Sequence, residues 1–133
     1  MEIEIFTLCD AATDQSGKLN IIGTFDTIYT QSFPTLHGAC AVVLRVRFSR
    51  IEFRKHQIAI HFVDNDGNAI LPPLEGVIEV RAAPKSHFAA TNLIINLQSI
   101  RLEKEGEYSV DLAIDGEEKA SLPLIARLTE KRG

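Results

Sequence analysis

LEKEGEYSVDLAIDGEEKASLPL, residues 102–124, is the stretch whose reading decides the fold. Tyr108, Val110, Leu112 and Ile114 alternate with Ser109, Asp111 and Asp115. Strand side chains point to opposite faces in turn, so this pattern describes a sheet packed on one side and wet on the other. Asp115-Gly116 then predicts a two-residue hairpin, because a type I′ turn needs positive φ at both central positions. Leu122, Leu124 and Ala126 resume the alternation. Pro123 has no N–H for a ladder, which places this last strand at a sheet edge.

Upstream of the first strand stand Leu102, Gly106 and Tyr108. This spacing resembles the tyrosine corner of immunoglobulin-like and fibronectin-like sandwiches, where the phenol bonds back to the backbone a few residues earlier. The rest of the chain reads in the same way. Glu2 to Ala12 is a strand apolar on both faces near Phe6 and Leu8, as a well-covered strand is. Thr13 to Lys18 closes a hairpin, and the next strand carries Gly23 at mid-length, which marks a bulge or a close contact. Ser32 to Gly38 reads as a loop. Cys40, Val42, Leu44, Val46 and Phe48 point inward on the clearest strand, with Arg45 and Arg47 outward. Ile58, Ile60 and Phe62 line the following one. Asp64 to Asn68 is a tight turn. Pro72-Pro73 interrupts a fifth strand that resumes from Val77 to Arg81, which by the same backbone argument is an edge or carries a bulge. Leu93, Ile95 and Leu97 oppose Asn92, Asn96 and Gln98, and the apolar phase slips before Ile100. The expectation is a single all-β domain over residues 1–133, with about eight antiparallel strands in an immunoglobulin-like sandwich.

Composition fits one globular unit: 133 residues, 45% hydrophobic and 24% charged. No apolar run is long enough to span a bilayer, and Glu2 and Glu4 are the wrong charge for a leader, so a cytoplasmic protein is expected. The net charge of −4 argues against nucleic acid or an anionic membrane as partner. Charge is unevenly spread, however. Arg45, Arg47, Arg50, Arg54 and Lys55 are basic around a single acid, whereas Glu103 to Glu118 is acidic apart from Lys104. Arg45, Arg47, Arg54 and Lys55 against Glu117 and Glu118 form candidate opposed patches for a protein partner or for self-association.

Chemistry is harder to find. Asp64 and Asp66 open like a calcium loop but lack its later ligands, so they bind metal only if Asp10, Asp14 or Asp115 joins them. Cys9 and Cys40 lie in apolar strands, and His37, near Cys40 in sequence, is on a loop without an orienting partner, so neither thiol is activated. No zinc spacing and no cofactor motif occurs, and His61 alternates outward. Asn92, Asn96 and Gln98 make an amide row without the aromatic platforms of a carbohydrate site. EIFTLCDAATDQSGKLNIIGTFDTI at residues 4–28, PPLEG at 72–76 and GEYSVDLAIDG at 106–116 resemble an uncharacterised bacterial family of small β proteins. The resemblance implies a single-domain bacterial protein without an assigned activity, and it carries no functional residues with it. The reading is a non-catalytic interaction or self-assembly module without a cofactor, with a calcium- or small-ligand-binding sandwich as the alternative.

Overall fold

The computed structural model describes residues 1–81 and 84–129. Among them lie eleven strands: β1 (Glu2–Gln15), β2 (Lys18–Phe25), β3 (Thr27–Thr30), β4 (Thr35–His37), β5 (Cys40–Ser49), β6 (Lys55–Val63), β7 (Leu74–Glu79), β8 (Phe88–Leu97), β9 (Ile100–Leu102), β10 (Gly106–Ile114) and β11 (Glu117–Leu128). They form a four-stranded sheet in the order β2-β1-β5-β8, a five-stranded sheet β3-β11-β10-β6-β7 and a small pair β4-β9. The all-β expectation holds, with eleven strands in place of about eight. One pairing is parallel, β3 with β11.

The core lies between the two larger sheets. Val42, Leu44, Val46 and Phe48 of β5 meet Ile58, Ile60 and Phe62 of β6 and Val110, Leu112 and Ile114 of β10 in one cluster. These are the inward positions that the period-two pattern specifies. β5 is also buried on its other face. Ala41 and Val43 pack with Cys9 in a second, smaller cluster, beneath Ala12, Leu19, Ile21 and Ile94. The far half of β1 and its partner β2 fold over this outer face as an arm. Its turn residues Ser16 and Gly17 take φ of 53° and 83°. The Gly17 carbonyl accepts the side-chain amide of Asn92 at 3.1 Å, and Asp14 accepts the same amide at 3.2 Å. Burial on both faces explains why CAVVL in β5 is continuous rather than alternating.

Gly23 marks the bend of the arm. Its φ is 69°, and a Cβ there would lie 2.4 Å from Oδ2 of Asp10. Glycine meets both demands at once, the positive φ and the absence of a side chain.

The corner closes as its spacing implies. Tyr108 is 6% exposed, and its hydroxyl donates to the backbone carbonyl of Lys104 at 2.6 Å. Asp115 and Gly116 have φ of 54° and 82°, the primed turn that the right-handed twist of the flanking strands favours.

Other expectations need correction. β11 is not an edge along its whole length, because β3 pairs with Ile125–Leu128. Pro123 sits just ahead of that segment, opposite Ser109 of β10, so its missing N–H costs no ladder bond. The proline-interrupted fifth strand is β7 alone, beginning after Pro73 and ending at Glu79; of the two alternatives, it is an edge. The Ser32–Gly38 segment contains β4, which pairs with β9 across Thr35↔Leu102.

Two substitutions test these local devices. Tyr108→Phe leaves the Lys104 carbonyl without its partner and lowers stability by about 1–2 kcal/mol. Gly23→Ala forces a side chain into positive φ against Asp10 and lowers it by about 1–3 kcal/mol. Urea unfolding reads both as lower midpoints with unchanged slopes.

Candidate functional site

Several titratable groups among the described residues serve the structure. The Asp64 carboxylate accepts the backbone N–H groups of Asn68 and Asp66, both at 2.9 Å. The bond from Asn68 leads in holding its pKa below the ordinary aspartate value. Among the described residues, no three His, Cys, Asp or Glu side chains converge, so Asp64 and Asp66 do not meet Asp10, Asp14 or Asp115 around an ion. Cys9 and Cys40 are free and buried. Burial pushes both thiols up; Asp10 adds to this at Cys9, and Cys9 adds to it at Cys40. Neither is a poised nucleophile.

His56 escaped the sequence reading, although it continues the inward phase of Ile58, Ile60 and Phe62. It is 0% exposed and stacks on Phe48 with ring centres 4.6 Å apart. Nδ1 lies 2.6 Å from Oδ2 of Asp115, and Nε2 lies 2.7 Å from the Glu52 carbonyl. Oδ1 of Asp115 accepts the Gln57 N–H at 2.9 Å. The hydrogen bond from His56 leads in lowering the Asp115 pKa, followed by that from Gln57. The pair has the look of two members of a catalytic triad, but the histidine is fully buried and its second ring nitrogen faces a backbone carbonyl. A general base needs its nitrogen directed at a substrate or nucleophile. His56 and Asp115 therefore clamp the turn before β6 to the β10–β11 hairpin.

A second polar group lies on the outer face of the five-stranded sheet. His61 and Asp111 are cross-strand neighbours, and the hydroxyls of Ser121 (2.6 Å) and Ser109 donate to Oδ1 of Asp111. A nucleophilic serine directs its proton to a histidine instead.

The charged residues expected at an interface fall into two places. Arg45 and Arg47 lie on the outer face of β5, where both bind Glu4, at 3.0 and 2.7 Å. Arg45 also donates to Asn92 at 2.9 Å. Arg54 and Lys55 open β6 beside the Asp115 turn, where the positive charge of Arg54 also acts on Asp115. Glu117, next in that hairpin, pairs with Lys119 at 2.8 Å, and Glu118 lies opposite Ala113. Arg54 of the basic run is thus a neighbour of Asp115 in the acidic one. Of the amide row, Asn92 is absorbed by the arm, Asn96 is exposed, and Gln98 lies beyond the strand end.

What remains open is a strand edge. β8 pairs with β5 from Phe88↔Ser49 to Leu97↔Cys40 and has no second strand partner among the described residues. Leu93 and Ile95 point inward yet are only half-buried, because a groove of about 410 Å³ runs beside them to Leu74 and Pro73 at β7. From Phe88 to Ile100 there is no charged residue, no proline and no glycine. Exposed edges are ordinarily guarded by short length, charge, proline or a bulge. The other three edges of the two larger sheets have such guards. β3 has four residues, β7 carries Glu75, Gly76 and Glu79 after two prolines, and β2 bends at Gly23.

The comparisons with known proteins place the chain without assigning it an activity. A family described as "Family of unknown function (DUF6941)" matches residues 4–127, and the chain belongs to it. No curated protein matches. One similar solved chain is described as Pseudomonas fluorescens alkylpurine DNA glycosylase AlkC bound to DNA containing an abasic site analog. It is 16% identical, with a TM-score of 0.45 over 77% of this chain and 28% of that one. This chain thus spans less than a third of that structure's length.

The His56–Asp115 clamp has a pH signature. Because the folded pKa of Asp115 is depressed, its contribution is fully present above the ordinary value of 3.8 and is lost as pH falls from there through the folded value. Asp115→Asn removes this part of the acid sensitivity and lowers stability at pH 7 by about 1–3 kcal/mol. Urea midpoints between pH 7 and pH 2.5 test this, and parallel curves for the two proteins would contradict the clamp.

Proposed function

We propose that this protein is a non-catalytic interaction module, and that its partner engages it as an added β-strand along the free edge of β8. The observation that carries this reading is the unguarded edge itself: ten residues of uncharged, β-prone sequence paired on one side only among the described residues. Backbone N–H and C=O groups on such an edge supply affinity, and pockets for alternate side chains supply selectivity. Here the pocket is the groove of Leu93, Ile95, Leu74 and Pro73. An incoming strand would place every second side chain over it. The buried histidine, the raised thiols and the serines directed at Asp111 favour a non-catalytic role. The net charge of −4 favours a protein partner over nucleic acid. Two free cysteines fit a reducing compartment such as the cytoplasm.

The edge is also held ready. Asn92, at mid-strand, is fixed by Arg45, Asp14 and the Gly17 carbonyl. A partner therefore meets a strand already extended, which spares the ordering cost of binding.

Photo-crosslinking in cells tests the reading. Benzoylphenylalanine in place of Phe88 or Asn96, at the two ends of β8, gives adducts, whereas the same probe in place of exposed Tyr29 on β3 gives none. Absence of adducts from β8, or equal yields from both edges, would contradict it.

A further inference from the structure

We infer that the strand completing β8 is β8 of a second copy of this chain, an inference that rests on the strand-addition reading above. The two copies would pair antiparallel about a two-fold axis, joining their four-stranded sheets into one of eight strands.

Symmetry selects this edge. A two-fold interface sets a surface against itself, so any charge on it meets its own like nearby. Like charges directly opposite each other across a strand pair are destabilising. β8 has no charge to oppose, in any register. By contrast, a centred self-pairing of β7 would bring Glu75 of one copy beside Glu79 of the other. β3 offers only four residues, and β2 is bent at Gly23.

The pleat then fixes the register. Ala90, Asn92, Ile94 and Asn96 face outward, and Ala89, Thr91, Leu93, Ile95 and Leu97 face inward. Residues opposite each other across a pair share a face, and a slip of one residue would set core positions against wet ones. The two-fold must therefore pass beside a residue that opposes its own copy, Asn92 or Leu93 in a centred pairing. Asn92 is engaged by the arm. Centring on Leu93 sets leucine against leucine, Ile95 against Thr91 and Leu97 against Ala89. It merges the two half-open grooves into one apolar layer. Nine residues of each copy take part, giving about ten backbone hydrogen bonds, the number carried by a standard protein interface.

The test uses the full chain. In sedimentation, the wild-type protein runs at twice its 14.7 kDa mass. Leu93→Lys directs a charge into the merged layer, from which it can reach water only while the edge is free; it is expected to sediment as a folded monomer, with association weakened by 100-fold or more. Leu93→Cys, self-opposed, is expected to form a disulfide-linked dimer under mild oxidation, since opposed strand residues lie within disulfide reach. Tyr29→Cys is expected not to, and buried Cys9 and Cys40 leave the introduced thiol as the reactive one. The Leu93→Cys result stands even if Leu93→Lys fails to fold. A dimer that persists in Leu93→Lys, or equal oxidation at both cysteine positions, would overturn the self-pairing. A monomer at all concentrations whose β8 crosslinks to a different protein would overturn the second copy and leave strand addition standing. A monomer with no β8 adduct at all would overturn both.

Discussion

The constraint on which the rest of the molecule depends is the burial of β5 on both faces. Val42, Leu44 and Val46 face the core between the sheets, while Ala41 and Val43 need cover on the outside. Burying a valine such as Val43 is worth about 1.5–3 kcal/mol and a methyl such as that of Ala41 about 0.8 kcal/mol, so leaving the outer pair wet would be costly in a fold of ordinary stability. The β1–β2 arm supplies the cover, and the glycine at its bend permits it. Because the arm ends over β8, its tip also holds Asn92. One requirement of the central strand thus orders the edge strand beside it.

How much of this is legible in the sequence depends on range. The Asp115-Gly116 turn, the Tyr108 corner and the inward residues of β5, β6 and β10 are local signals, and all appear where the period-two pattern puts them. Long-range pairing leaves no such trace. β4 and β9 are three residues each and lie far apart in sequence. The parallel match of β3 to the end of β11 turns an expected edge strand into a partly interior one. The fold-back of the arm could not be read either, although CAVVL and Gly23 are its residue-level marks. His56 was legible and overlooked: it shares the phase of Ile58, Ile60 and Phe62, and a histidine in that phase has to find partners inside.

The candidate site illustrates the same limit from the functional side. Charge runs draw attention to Arg45–Lys55 and Glu103–Glu118, yet Arg45 and Arg47 are paired with Glu4 and Glu117 with Lys119. The informative feature was an absence of charge, from Phe88 to Ile100. In a covered strand that absence is ordinary. It acquires meaning only once β8 is known to be an edge, which is a property of topology.

Amide hydrogen exchange at residues 88–97 tests this account most directly, measured in the gently isolated native assembly and again after its separation into single chains. Strand addition predicts that β8 amides exchange slowly in the assembly and rapidly in the single chain, while the amides of β3 and β7 exchange alike in both. Equal exchange of β8 in the two states would contradict it.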